Sequence, residues 1–114
     1  MIGRVYRLRR RRSFDVIYKR GKSYADAALV LLCLEGKLPQ PKVGFVVGKK
    51  VGKAVVRNRV KRRLREIVRP LLPQMKGHTS YVVVARSPSA RLTFAQLRQS
   101  VVALLDKADK LNRT

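Results

Sequence analysis

The stretch Lys49–Arg65 reads KKVGKAVVRNRVKRRLR, and its second half decides how the chain folds. Val56, Val60, Leu64, Ile67, Val68 and Leu71 recur at i, i+4, i+8, i+11, i+12 and i+15. At about 100° per residue they occupy roughly one third of a helix circumference, so the segment reads as an amphipathic helix with one face on a core. Asn58, Arg62, Arg65 and Arg69 run down the opposite side, flanked by Arg59 and Lys61. Nine cations and no acid stand among these seventeen residues. Like charges at i, i+4 cost about 0.2–0.5 kcal/mol per pair, and cations at a helix N-terminus oppose its macrodipole. A merely solvated face would mix the signs. This one destabilises the free chain and becomes favourable beside phosphate, so a polyanion is the expected partner.

The 114 residues support one small domain with one core, expected to be a single nucleic-acid-binding domain over 1–114 with residues 1–12 as a basic N-terminal arm. Hydrophobic residues make up 46 % of the chain, too many for a disordered basic tail. The net charge of +22, from 28 Lys and Arg against 6 Asp and Glu, again calls for an anionic polymer. A membrane surface is the rival anion. Against it, so small a domain needs the apolar face of the basic helix for its core, and no run of 18 apolar residues is present. Arg7–Arg12 is followed by SFDVIYKRG rather than an apolar signal segment, so a cytoplasmic location is expected.

The arm carries Arg4, Arg7, Arg9, Arg10, Arg11 and Arg12 around Val5, Tyr6 and Leu8. Ser13 as N-cap and Gly21 as stop bracket a short helix, with Phe14, Ile17 and Tyr18 on one face. That face suits either the core or stacking on RNA bases. Ala27–Leu34 and Val43–Val47 read as strands, expected to pair antiparallel across the turn-rich GKLPQPK. The basic helix should end near Arg69, before Pro70 and Pro73, with loop over 73–79 and a third strand at Tyr81–Ala85. Thr93 and Gln96 form a capping box for a last helix, whose apolar face is Phe94, Leu97, Val101, Leu104 and Leu105. The expected order is helix, strand, strand, helix, strand, helix: an α/β (α+β) sandwich with one sheet and a basic crossover helix.

No catalytic constellation is visible. GKKVGK at Gly48–Lys53 lacks the glycine spacing and the Ser or Thr of a nucleotide-binding P-loop, although its backbone amides suit an RNA phosphate. The six acids are scattered, and the nearest pair, Asp106 and Asp109, sits among Lys107 and Lys110. One His, His78, and one Cys, Cys33, exclude metal sites built on clusters of those residues and any intrachain disulfide. Cys33 lies in an apolar run and should be buried; His78, beside Gly77, should be a surface residue.

From Lys42 to Glu66 the chain reads KVGFVVGKKVGKAVVRNRVKRRLRE, which closely resembles the signature of the bacterial ribonuclease P protein subunit. RLRRRRSFDVIYKRGKS (Arg7–Ser23) and YVVVARSPSARLTF (Tyr81–Phe94) resemble that family's N-terminal segment and its third strand and exit. The resemblance implies an αββαβα fold with an unusual left-handed crossover. It further implies a catalytic RNA partner that holds the active site and its Mg2+ and removes the 5′ leader of precursor tRNA, with no obligate protein partner. Lys49, Lys50, Lys53, Arg57, Asn58, Arg59, Lys61, Arg62, Arg63 and Arg65 would bind that RNA. A cleft at Arg10, Phe14, Tyr18, Lys42 and Phe45 would receive the leader. Leu32 and Gly48 depart from the family's usual aromatic and Ser. A ribosomal or other structural RNA-binding protein, and an architectural DNA-binding protein, share the charge and size, but no helix-turn-helix, zinc or zipper motif is present.

Overall fold

The computed structural model describes residues 3, 6–37 and 39–112. Arg4 and Val5 of the arm fall outside them. The chain runs α1 (Arg11–Arg20), β1 (Lys22–Ala25), β2 (Leu29–Glu35), β3 (Lys42–Val47), α2 (Ala54–Val68), β4 (Thr79–Ala85) and α3 (Phe94–Lys107). Short 3₁₀ turns stand at Lys49–Val51, Arg69–Gln74 and Ser87–Arg91. Helix α1 begins at Arg11 rather than after Ser13, and its N-cap, Arg10, offers no side-chain cap. The Thr93–Gln96 capping box is formed, with both reciprocal bonds made.

The sheet has four strands in the order β1-β2-β4-β3. This corrects the expected hairpin: β2 and β3 are not neighbours, because β4 lies between them, antiparallel to β2 and parallel to β3. β4 takes the centre because Tyr81, Val82 and Val83 are buried in succession on alternating faces, the pattern of a strand covered on both sides. The 36–41 connection therefore spans two strand spacings, about 10 Å, rather than one. It arches over the start of β4, where the Gly36 amide donates to the His78 carbonyl at 2.6 Å. A Cβ at Gly77 would lie 2.3 Å from the Pro39 carbonyl oxygen, so the arch requires glycine there. β1, pairing along β2 from Lys22↔Cys33 to Ala25↔Val30, is an additional edge strand.

One sheet face carries α2 and α3. Val60, Leu64, Ile67 and Val68 of α2, and Leu97, Val101, Leu104 and Leu105 of α3, are buried with Leu29, Leu31, Val43, Tyr81 and Val83. Each such side chain contributes about 1.5–3 kcal/mol. Cys33 is buried in the same cluster, which pushes its thiol up to about 11, and His78 is exposed. Phe94, placed by its spacing on the apolar face of α3, remains 40 % exposed.

The other face carries α1, with Leu8 of the arm packed beside it. The cross-strand row Leu32–Val82–Gly44 sits beneath it, with Ile17 closing a small cluster on Leu32 and Val82. The next row, Val30–Val84–Val46, stays half-buried.

Asp26 fastens the N-terminal end of β2 to α3. Its carboxylate accepts from the Ala28 amide (2.9 Å), the Leu29 amide (2.8 Å) and the Ser100 hydroxyl, while Arg86 donates to its carbonyl at 2.9 Å. Partial burial raises its pKa, but the Ser100 and backbone hydrogen bonds outweigh this and hold it below the ordinary 3.8. A depressed carboxylate stabilises the fold above its unfolded-state pKa, and the gain fades as pH falls through the folded value. Asp26→Ala should cost about 1–3 kcal/mol at pH 7 by orphaning two amides. The deficit relative to wild type should shrink below about pH 4, as urea titrations at pH 7 and pH 3 would show.

Candidate nucleic-acid interface

Two surfaces flank the β3 edge. The first is the polar side of α2. Lys49 and Lys50 on the preceding turn, Lys53 at the N-cap, and Asn58 and Arg62 on the helix are exposed. Gly52 makes the approach possible: its φ of 155° suits glycine, and a Cβ would press on Val56 at 3.0 Å. Lys61 and Arg65 are half-buried and join Arg7, Arg9 and Phe45 around a groove of about 330 Å³. Arg7 and Arg9 belong to the arm, which adds to the sheet: Arg7 bridges Val43 in parallel, and the Leu8 amide donates to the Val43 carbonyl at 3.0 Å. Nothing in their spacing marked them as neighbours of α2.

Not every cation of α2 faces outward. Arg59 Nη2 donates to the Ala90 carbonyl and Arg63 Nη1 to the Leu92 carbonyl, both at 3.2 Å. These two arginines tie α2 to the turn that precedes α3, a role the helical wheel does not show. Among the described residues, the buried Nε atoms of Arg7, Arg57 and Arg59 have no hydrogen-bond partner.

The second surface is the open half of the α1 face. Its floor is the Val30–Val84–Val46 row, continuing into a cavity of about 670 Å³ rimmed by Lys49, Lys50, Arg86 and Ser87. The Phe14 ring packs over Gly44, half-buried beside Leu8, and Tyr18 is 48 % exposed. Partial burial and, secondarily, Asp15 push the pKa of the Tyr18 hydroxyl up from its ordinary value. Arg10 is exposed at the start of α1, and Lys42 is half-buried in the row Leu34–Ser80–Lys42 on the same face. Phe45 is not part of this floor. Strand alternation turns it to the α2 face, and it reaches Phe14 only around the β3 edge, in the groove with Lys61 and Arg65.

Among the described residues, no three His, Cys, Asp or Glu side chains are grouped to hold a metal ion, and no helix is long and apolar enough to cross a membrane. The arrangement is a cation-lined surface beside an apolar channel. The ribonuclease P family model matches residues 2–109. The chain belongs to the ribonuclease P protein family. It is 44 % identical over 111 residues to the ribonuclease P protein component of Symbiobacterium thermophilum, covering 96 % of each chain. The Geobacillus sp. component is 35 % identical over 109 residues, covering 95 % of this chain and 94 % of that one. Among solved structures, the Staphylococcus aureus RNase P protein superposes with a TM-score of 0.88 at 31 % identity, covering 94 % of this chain and 98 % of that chain. The Thermotoga maritima RNase P protein gives 0.81 at 34 % identity, covering 89 % and 96 %. Membership makes the chain a subunit of an endoribonuclease that processes tRNA, partnered by the RNA of that ribonucleoprotein, and leaves the ribosomal and DNA-binding alternatives without support.

Proposed function

We propose that α2 and the Lys49–Val51 turn grip the catalytic RNA, and that the channel over Val30, Val84 and Val46 takes the single-stranded 5′ leader of precursor tRNA. The observation that carries this is the adjacency of an acid-poor cationic helix to an open apolar channel with a cationic rim. Phosphates go to the first and unstacked bases to the second, the division by which proteins recognise single-stranded RNA. Bond cleavage is assigned to the RNA subunit. Among the described residues no three His, Cys, Asp or Glu side chains are grouped, which supports the reading that the Mg2+ that activates water would be held by RNA. The protein's own contribution is placement. Lys49 and Lys50 stand where the channel meets the α2 surface, so one strand can lie in the channel while its continuation meets the catalytic RNA. A cytoplasmic location fits a partner of that kind.

Tyr18 tests the channel better than Phe14, because it is the more exposed and its removal leaves the small cluster beneath α1 intact. Tyr18→Ala should weaken binding of precursor tRNA to the holoenzyme by about 1–3 kcal/mol and leave mature tRNA, which lacks the leader, unchanged. Fluorescence titration of both RNAs reads this directly. Equal losses for the two would remove the channel from the account.

A further inference from the structure

The first turn of α3 is a second place where apolar and cationic groups alternate without acids. Phe94, the first residue of the helix, stays 40 % exposed although it continues the stripe of Leu97 and Val101, both buried. Arg91 before it and Arg98 one turn after it are exposed. No acid occupies this turn, although the helix N-terminus favours one, and the sequence contains none between Glu66 and Asp106. The segment before α3 is tied to α2 by the Arg59–Ala90 and Arg63–Leu92 hydrogen bonds, so Phe94, two residues beyond Leu92, is held near the Arg59 and Arg63 side of that helix. Val55, 79 % exposed one helical turn before Arg59, adds a second apolar group to α2.

We propose that the catalytic-RNA interface runs past α2 onto the start of α3, with Phe94 as stacking platform for one unpaired base and Arg91 and Arg98 as contacts for the phosphates beside it. This rests on the assignment of α2 to the catalytic RNA. An aromatic face stacks on any base, and arginines on either side neutralise the backbone that brings the base in. A second copy of the chain is the weaker occupant, because two molecules of charge +22 repel one another. An acid-free surface matches a polyanion.

The test is assembly of the full-length protein with transcribed catalytic RNA, measured by filter binding for wild type, Phe94→Ala, Phe94→Leu, Phe94→Trp, Arg98→Ala and Arg62→Ala, with melting temperatures alongside. Phe94→Ala and Phe94→Leu should each weaken assembly by about tenfold or more, Phe94→Trp should restore it, and Arg98→Ala should flatten the salt dependence by about one phosphate contact. Leucine keeps the apolar bulk and removes only the ring face, so a merely structural role predicts that it behaves as wild type. That outcome, or losses that follow melting temperature with no rescue by tryptophan, would overturn the proposal. So would Phe94 variants that change only the sedimentation mass of the free protein. If Arg62→Ala weakens assembly and the Phe94 variants do not, the α3 extension fails and the α2 interface stands; if Arg62→Ala is silent too, the α2 assignment itself fails.

Discussion

Raising monovalent salt from 50 to 200 mM should weaken the complex with the catalytic RNA by about three orders of magnitude. Six cations carry this expectation: Lys49, Lys50, Lys53 and Arg62, which are exposed, and Lys61 and Arg65, which line the groove at the β3 edge. Each phosphate neutralised on duplex RNA or DNA releases close to one counterion, so six contacts give a log–log slope near −5. Arg62→Ala should reduce that slope by about one unit without changing the melting temperature, since its side chain is exposed. Arg59→Ala and Arg63→Ala should behave otherwise. Both residues donate to backbone carbonyls of the turn before α3, so their removal should lower the melting temperature as well as the affinity. A shallow slope in the wild type would show that the basic face is solvated rather than engaged.

Gly44→Ala should impair leader binding more than its size suggests. A Cβ built at Gly44 lies 2.4 Å from Cζ and 2.6 Å from Cε1 of Phe14, and 3.3 Å from the Leu8 Cβ. The ring cannot stay in place, so α1 must lift or Phe14 must leave its rotamer, at about 1–3 kcal/mol of stability. Either movement reshapes the wall of the channel over Val30, Val84 and Val46. Precursor tRNA binding should fall by about 1–3 kcal/mol while mature tRNA binding holds. Urea unfolding beside the two titrations separates the effects. Unchanged stability together with unchanged precursor binding would mean that the ring yields freely and that its position does not matter.

The helices were legible because their signals are local. Apolar residues at helical spacing mark α2, and the Thr93–Gln96 pair marks the start of α3. The sheet order was not, because it depends on partners distant in the chain. A short turn-rich connection such as GKLPQPK between two apolar runs suggests a hairpin, and only the central burial of β4 and the arch over Gly77 show why it is not one. β1 leaves little trace in the sequence because Lys22–Ala25 turns only one apolar side chain, Tyr24, toward the core, too few for alternation to register. At the interface the cations themselves were readable, but their division was not. Arg59 and Arg63 share the composition of Arg62 and differ only in having carbonyls within reach. The resemblance puts Phe45 in one cleft with Phe14, whereas strand alternation places it on the other side of the sheet.

Under the proposed function this protein contributes binding and placement while RNA performs the chemistry. Precursor tRNA cleavage at low magnesium, with catalytic RNA alone, protein alone and the two together, tests it most directly. Cleavage should be absent with the RNA-free protein, slow with the RNA, and restored at the mature 5′ end when the two are combined. Metal-dependent cleavage at that position by the protein alone, or a rate for the mixture no higher than for the RNA alone, would contradict it.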